Sequence, residues 1–193
     1  LSARILPYRK EGTAPNPLAA IEALADAVIA KDVRVVSGDI VGDDTAYEWE
    51  PYPDGWAVDD PVWEYGAPVS ALTLNDNAFT LYTAPASQAG QPAVLTLRPG
   101  VEYFTIHNRT KTVSTDPRRI TLERLPGSRE LIVRGDALLK GRTRVDLLAV
   151  DDPALFAAAA LRDALLDRGV RIEGNIRAEH RRDGEPPHRW TGV

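Results

Sequence analysis

The chain has 193 residues, a formal net charge of −5, and neither cysteine nor methionine. With 44% apolar and 26% charged residues, it has the composition of a globular domain long enough to bury a core without disulfides. The lack of Cys excludes a disulfide framework, a Cys-ligated metal and a Cys nucleophile, and the negative charge argues against bulk nucleic-acid binding.

The first predicted helix follows an irregular segment, residues 1–15. Asn16 is a good N-cap, and Pro17 suits the first helical position because its missing N–H would be unpaired there. Apolar residues then recur at helical spacing as far as Lys31. The β-branched segment 33–41 follows and predicts a strand.

A second helix–strand unit lies near the C-terminus. Asp152 and Pro153 predict a helix start, and Arg168-Gly169 predicts its end. The next residues, Val170-Arg171-Ile172 and Gly174-Asn175-Ile176, repeat the pattern of the first strand, Val33-Arg34-Val35 and Gly38-Asp39-Ile40. We therefore expect two equivalent helix–strand units in one sheet.

The material between the two units has a different character. Residues 42–68 are rich in Pro, Gly, Asp and aromatic side chains and predict a long ordered loop, whereas 69–150 contain short alternating runs separated by turns, such as Pro126-Gly127. The predicted strands are Val69–Leu74, Phe79–Tyr82, Val94–Leu97, Val101–Ile106, Arg119–Leu125, Glu130–Val133 and Thr143–Val150.

The predicted fold class is α/β in the mixed α+β sense, with an antiparallel β-rich subdomain inserted between the two units. Residues 1–75 and 151–178 would form the α/β domain, and 76–150 the insertion. The polar tail 179–193, which contains Pro186-Pro187, would be a linker.

Few residues offer chemistry of their own. His107, His180 and His188 lack metal-type spacing, and Ser70 lies in an apolar run rather than a nucleophile elbow. We therefore predict no cofactor and no metal. No apolar run approaches the ~18 residues of a membrane helix, so no membrane span is expected.

An acidic, aromatic loop is the most distinctive feature. Every charged residue from Asp39 to Leu97 is acidic, and Trp49, Trp56 and Trp63 are three of the four Trp. One interpretation is a loop fixed by aromatic side chains, with its carboxylates solvated. The other is a recognition surface for a cationic ligand, because carboxylates beside aromatic faces bind amines by charge pairing and cation–π attraction.

Three short stretches of the chain carry a family resemblance: Gly42-Asp43-Asp44, Gly55-Trp56 and, above all, Tyr65-Gly66-Ala67-Pro68-Val69-Ser70-Ala71-Leu72-Thr73-Leu74-Asn75-Asp76-Asn77. Together they resemble the penicillin-binding protein 4-type D-alanyl-D-alanine carboxypeptidases/endopeptidases. The resemblance implies an extracytoplasmic serine enzyme that cleaves peptidoglycan stem peptides. Its catalytic motifs, Ser-x-x-Lys, Ser-x-Asn and Lys-Thr-Gly, are missing here, and Lys111-Thr112 is followed by Val113.

The chain is thus similar to the accessory region that this family inserts between the first two motifs. It would then be a piece of a longer protein, as the missing Met also predicts, and inactive alone. Its partners would be the stem peptide and its own catalytic domain.

The resemblance also assigns a role to the acidic loop. It implies that Asp60, with Asp59 as its rival, binds the amino end of the meso-diaminopimelate side chain, and that Trp56 and Tyr65 form aromatic walls. The alternative is a module that docks a cell-wall polymer or a protein, using the basic segment 118–150, without a role in substrate selection.

Overall fold

The computed structural model describes residues 16–186 apart from 53, 54, 56, 58 and 59. Helix α1 is Ala19–Ala30 and helix α2 is Pro153–Asp167. Asp152 caps α2 as predicted, and its Oδ1 accepts the Leu155 N–H at 2.9 Å. Helix α1 begins two residues later than predicted: its N-cap is Leu18, without a side-chain cap bond, and Asn16 Oδ1 accepts the Leu18 N–H at 3.0 Å in the turn before the helix. Both predicted helices are confirmed.

The two helix–strand units pair directly with each other through parallel strands. Strand β1 (Val35–Val36) pairs with β9 (Arg171–Ile172), and β2 (Ile40–Glu48) pairs with β10 (Ile176–Arg181). Val36 lies opposite Ile172 and Ile40 opposite Ile176. The repeated sequence pattern therefore reflects a real structural correspondence, although Arg171 pairs with Val35 rather than with Arg34.

Helix α2 packs closely across this parallel pair. A Cβ at Gly42 of β2 would lie 2.0 Å from the Ala154 carbonyl oxygen, so glycine is required for the helix to approach the strand. This contact places the start of α2 beside β2 and β10.

Residues 78–149 form two three-stranded sheets. In the first, β3 (Ala78–Ala84) lies between β4 (Val94–Arg98) and β8 (Arg144–Ala149), and both pairs are antiparallel. In the second, β7 (Glu130–Leu138) lies between β5 (Thr105–Val113) and β6 (Thr121–Glu123). The β6–β7 pair is an antiparallel hairpin, as predicted.

The mixed α+β class is confirmed, with three differences of detail. The two helix–strand units form two two-stranded parallel sheets, β1–β9 and β2–β10, rather than the single sheet predicted. Strands β5 and β7 pair in parallel, whereas the sequence predicted antiparallel strands throughout. The predicted strand Val69–Leu74 is irregular, because its backbone is held by a carboxylate from β2 instead of by a neighbouring strand.

Packing is continuous across the predicted domain boundaries at 75/76 and 150/151. One buried cluster combines residues from both sides of each boundary: Leu74, Phe79, Val101, Tyr103, Val150, Phe156, Ala159 and Ala160. Strand β10 also continues to Arg181, beyond the predicted start of the linker at 179. The insertion and the α/β part therefore share a core.

Candidate functional site

Two of the four predicted site residues are described by the structure. Trp56 and Asp59 lie outside the described residues. Asp60 opens a 3-10 turn, Asp60–Val62, and Tyr65 lies in a second one, Glu64–Gly66. The two residues are therefore on consecutive turns of the same short segment.

The double turn is tight and holds Asp60 in a defined position. The Asp60 carboxylate accepts the Ala57 N–H through Oδ2 at 2.9 Å, and a Cβ at Gly66 would lie 2.0 Å from the Asp60 carbonyl oxygen. Tyr65 is 66% exposed. The segment thus presents a half-buried carboxylate and a largely exposed phenol close together in sequence and structure.

Apolar packing holds the beginning of this segment against the insertion. Trp63 forms a β-bridge with Leu148 of β8. Val62 is 8% exposed and belongs to a buried cluster whose other members all come from residues 81–148: Leu81, Ile120, Leu131, Val133 and Leu148. Burial of this kind stabilises by about 1.5–3 kcal/mol per large apolar side chain, so this end of the loop is firmly fixed.

A buried ion pair lies directly behind the same turn. The Arg124 guanidinium donates to the Pro61 carbonyl and contacts Asp151 Oδ1 at 3.3 Å, with side-chain exposures of 3% and 6%. It also lies over the Phe104 ring, 5.3 Å from the centroid. The Tyr103 hydroxyl donates to the same Asp151 oxygen at 2.7 Å.

Desolvation is the main influence on this cluster. Burial lowers the pKa of Arg124 and raises the pKa of both Asp151 and Tyr103. In each case burial disfavours the charged form. The hydrogen bonds among these groups offset the cost of removing them from water.

The end of the loop is held by a second group of polar residues. Asp44, 2% exposed on β2, accepts the Ser70 hydroxyl at 2.8 Å and the Ala71 N–H at 2.5 Å through Oδ1. Its other oxygen contacts His180 Nδ1 at 3.2 Å. The role of Ser70 is therefore structural, as its apolar context in the sequence also indicated.

His180 of β10 lies between two carboxylates. Its Nε2 is 3.2 Å from Asp152 Oδ2, and the Trp49 ring stacks on the imidazole with centroids 3.9 Å apart. Burial lowers the pKa of His180, but the hydrogen bonds with Asp152 and Asp44 outweigh it and raise the pKa to about 9. At neutral pH both ring nitrogens of the imidazolium therefore donate.

Sequence analysis missed Asp44, Arg124 and His180 as members of this site. His180 was assigned to the linker, and its contact with Asp44 spans 136 positions. The single local signal was Asp152, which was recognised as a helix cap and also binds His180.

Among residues 16–186, as far as the structure describes them, no cluster of His, Asp or Glu is arranged to hold a metal ion. In the same part of the chain, neither helix has the length and apolar character needed to cross a membrane.

The chain belongs to the D-Ala-D-Ala carboxypeptidase 3 (S13) family, whose sequence profile matches residues 13–187. The family relationship predicted from the segment Tyr65–Asn77 is thereby confirmed. A D-alanyl-D-alanine carboxypeptidase of Actinomadura sp. (strain R39) is 29% identical over 162 residues. The match covers 81% of this chain and 30% of that relative, so the chain spans less than a third of the relative's length.

Two structures of penicillin binding protein 4 (dacB) from Haemophilus influenzae share the fold. One matches 86% of this chain and 37% of its own, with a TM-score of 0.66 and 14% identity. The other, complexed with a novel beta-lactam, matches 86% of this chain and 34% of its own, with a TM-score of 0.54 and 12% identity.

Proposed function

We propose that this chain is the non-catalytic accessory region of a serine-type D-Ala-D-Ala peptidase that cleaves peptidoglycan stem peptides outside the cytoplasm. Family membership supports the reaction class. The sequence carries none of the Ser-x-x-Lys, Ser-x-Asn and Lys-Thr-Gly motifs. It therefore lacks the pair formed by the nucleophilic Ser and the Lys three residues after it. The catalytic residues would belong to other parts of the whole protein.

The acidic loop is proposed to bind the ammonium group at the end of a diaminopimelate side chain. The observation that carries this proposal is the tight double turn that holds Asp60 and an exposed Tyr65 together. All charged residues from Asp39 to Leu97 are acidic, so the sequence around the turn favours a cationic ligand.

Asp60 retains the capacity to accept a substrate hydrogen bond. A carboxylate has two oxygens with about four acceptor sites, and the Ala57 N–H occupies one of them on Oδ2. An ammonium group would form a charge-assisted hydrogen bond with this carboxylate, and Tyr65 would offer an aromatic face. Losing such a bond costs about 1.5–3 kcal/mol, or roughly 10- to 100-fold in kcat/KM.

The experiment uses the full-length enzyme and two stem peptides. In one peptide the side-chain amine of diaminopimelate is free, and in the other it is N-acetylated. Asp60→Asn and Asp59→Asn are compared with Asp76→Asn, an exposed carboxylate in the same acidic stretch. We expect Asp60→Asn to lower kcat/KM for the free amine only. A loss confined to Asp59→Asn would transfer the role to Asp59, and no loss in either variant would refute ammonium binding by this loop.

The inactivity of the accessory region is tested separately. A fluorescent penicillin acylates the active-site serine of such enzymes, so it should label the full-length enzyme but not this 193-residue chain. Labelling of the chain alone would contradict the non-catalytic assignment.

The alternative function, docking of an anionic cell-wall polymer, has one supporting observation. Arg109, Lys111 and Arg134 are exposed, and the pairing of Arg109 with Arg134 places these cations on one face of the β5–β7 pair. A salt bridge between Arg134 and Glu123 neutralises part of this charge, and Asp136 lies opposite Lys111 in the same pair of strands. Co-sedimentation with a purified anionic polymer, weakened by Arg109→Ala with Lys111→Ala and by salt, would support docking.

A further inference from the structure

The two groups of polar residues behind the loop are parts of one continuous hydrogen-bonded chain. Asp151 and Asp152 are adjacent, and the Tyr103 hydroxyl connects them: it donates to Asp151 Oδ1 at 2.7 Å and accepts the Asp152 N–H at 3.1 Å. We call this chain the buried polar network, and its members are Arg124, Asp151, Tyr103, Asp152, His180 and Asp44.

The buried polar network begins and ends on the same stretch of backbone. At one end Arg124 binds the Pro61 carbonyl, and at the other Asp44 binds the Ala71 N–H. We refer to residues 60–71 as the loop segment. Both ends of the loop segment are therefore fixed by one set of connected groups centred on the N-terminus of α2.

The two cations of the network come from distant parts of the fold. Arg124 follows β6 of the insertion, and His180 lies on β10 of the α/β part. Arg124 contacts the Pro61 carbonyl and Asp151, and His180 contacts Asp152 and Asp44. Both cations therefore lie behind the loop segment and support it. Removal of either cation leaves a carboxylate with one partner fewer. Removal of Arg124 also takes away the donor to the Pro61 carbonyl, and removal of His180 takes away a partner of Asp44, which accepts the Ala71 N–H.

We propose that Arg124 and His180 are positioning residues for ammonium recognition, holding Asp60 and Tyr65 in their binding geometry before the substrate arrives. This inference rests on the proposed function of the loop. A segment that is already ordered loses less conformational freedom on binding, so its affinity is higher. The insertion, through Arg124, would thereby contribute to substrate selection although it contacts no substrate.

The test again uses the full-length enzyme with the free and N-acetylated diaminopimelate peptides. Arg124→Lys and His180→Gln are compared with Arg119→Lys, at an exposed arginine, and with His107→Gln, at a half-buried histidine outside the network. We expect the two network variants to reduce the preference for the free amine by about 10-fold, mainly through KM. A purely structural role would lower the activity on both peptides equally.

A second measurement reports on the loop segment itself. Amide hydrogen exchange of residues 60–71 should accelerate in Arg124→Lys and His180→Gln, and it should be unchanged in the two control variants. Fluorescent-penicillin labelling at the wild-type rate identifies variants whose catalytic domain is intact. If Arg124→Lys does not fold, His180→Gln tests the network from its other end.

The outcomes separate the inference from the proposed function. If Asp60→Asn lowers the preference but neither network variant does, the inference is wrong and the proposed function stands. If neither Asp60→Asn nor Asp59→Asn changes the preference, the proposed function fails. In that case unchanged amide exchange in both network variants would also overturn the positioning role.

Discussion

The two ends of the loop segment are supported by cations of different kinds: Arg124 binds the Pro61 carbonyl directly, whereas His180 contacts Asp44, which accepts the Ala71 N–H. Arg124 is 3% exposed and carries a guanidinium that does not lose its proton in proteins. His180 is 21% exposed and carries an imidazolium that titrates in an accessible pH range. The contact of Arg124 with Pro61 and Asp151 therefore does not depend on loss of the guanidinium proton, whereas the contact of His180 with Asp44 weakens when the imidazolium loses its proton.

The largest loss of stability is expected when the buried contacts of Arg124 with Asp151 and Pro61 are removed. Arg124→Met leaves Asp151 buried with the Tyr103 hydroxyl but without its cation, and the Pro61 carbonyl without its donor. Breaking a buried pair from one side costs about 3–5 kcal/mol. Urea unfolding of the chain should show a loss of this size, visible as a lower midpoint.

A double variant sharpens this first prediction. Asp151→Asn in the Arg124→Met background removes the orphaned carboxylate and still offers an oxygen to Tyr103. It should recover part of the lost stability, because the uncompensated charge is the main cost. Arg119→Met, at an exposed arginine, should change the midpoint little. An equal loss in Arg119→Met would show that burial of the pair is not the cause.

The second effect is a pH dependence of the His180 end between neutral and alkaline pH. The pKa of His180 is raised from 6.5 to about 9, since its bonds with Asp152 and Asp44 outweigh the opposing effect of burial. A raised pKa means that the folded state holds the proton more tightly. The stabilisation is therefore complete below about pH 6.5 and is lost as the pH rises through about 9.

Comparison with a variant isolates this contribution. The free energy of unfolding of the wild type minus that of His180→Gln should decrease between pH 6.5 and pH 9.5, because glutamine does not titrate. The same difference measured with His107→Gln, at a half-buried histidine of β5 that lies outside the network, serves as the control. A difference for His180 that is constant over this range would contradict the assignment of its charge state.

The elements predicted well are those specified by neighbouring residues. Asp152 lies next to the helix that it caps, and Asn16 lies in the turn just before α1, so both helices could be placed from sequence, α1 with a start two residues too early. The correspondence of the two helix–strand units was visible because the same residue pattern recurs, whereas their parallel pairing was not predicted. The site was only partly predictable: the resemblance singled out Asp60 and Tyr65, but not the groups that hold them.

The remaining features depend on contacts between distant residues. The segment Val69–Leu74 has the composition of a strand, but Asp44, 27 positions before Ala71, captures its backbone. The parallel β5–β7 pair likewise depends on which strands become neighbours in the sheet, where β7 lies between β5 and β6. No local signal marks Arg124 or His180, because each finds its partners through the fold.

The smallest effect is expected at the point where the network meets the loop segment. Ser70→Ala removes a hydroxyl that donates to Asp44 and accepts the Leu72 N–H at 3.1 Å, but the Ala71 N–H still binds Asp44. A lost hydrogen bond of this kind costs about 1 kcal/mol, so the unfolding midpoint should fall slightly. Ser114→Ala, at an exposed serine, is the matched control. A loss as large as that of Arg124→Met would mean that the hydroxyl, and not the buried ion pair, determines how firmly the loop segment is held.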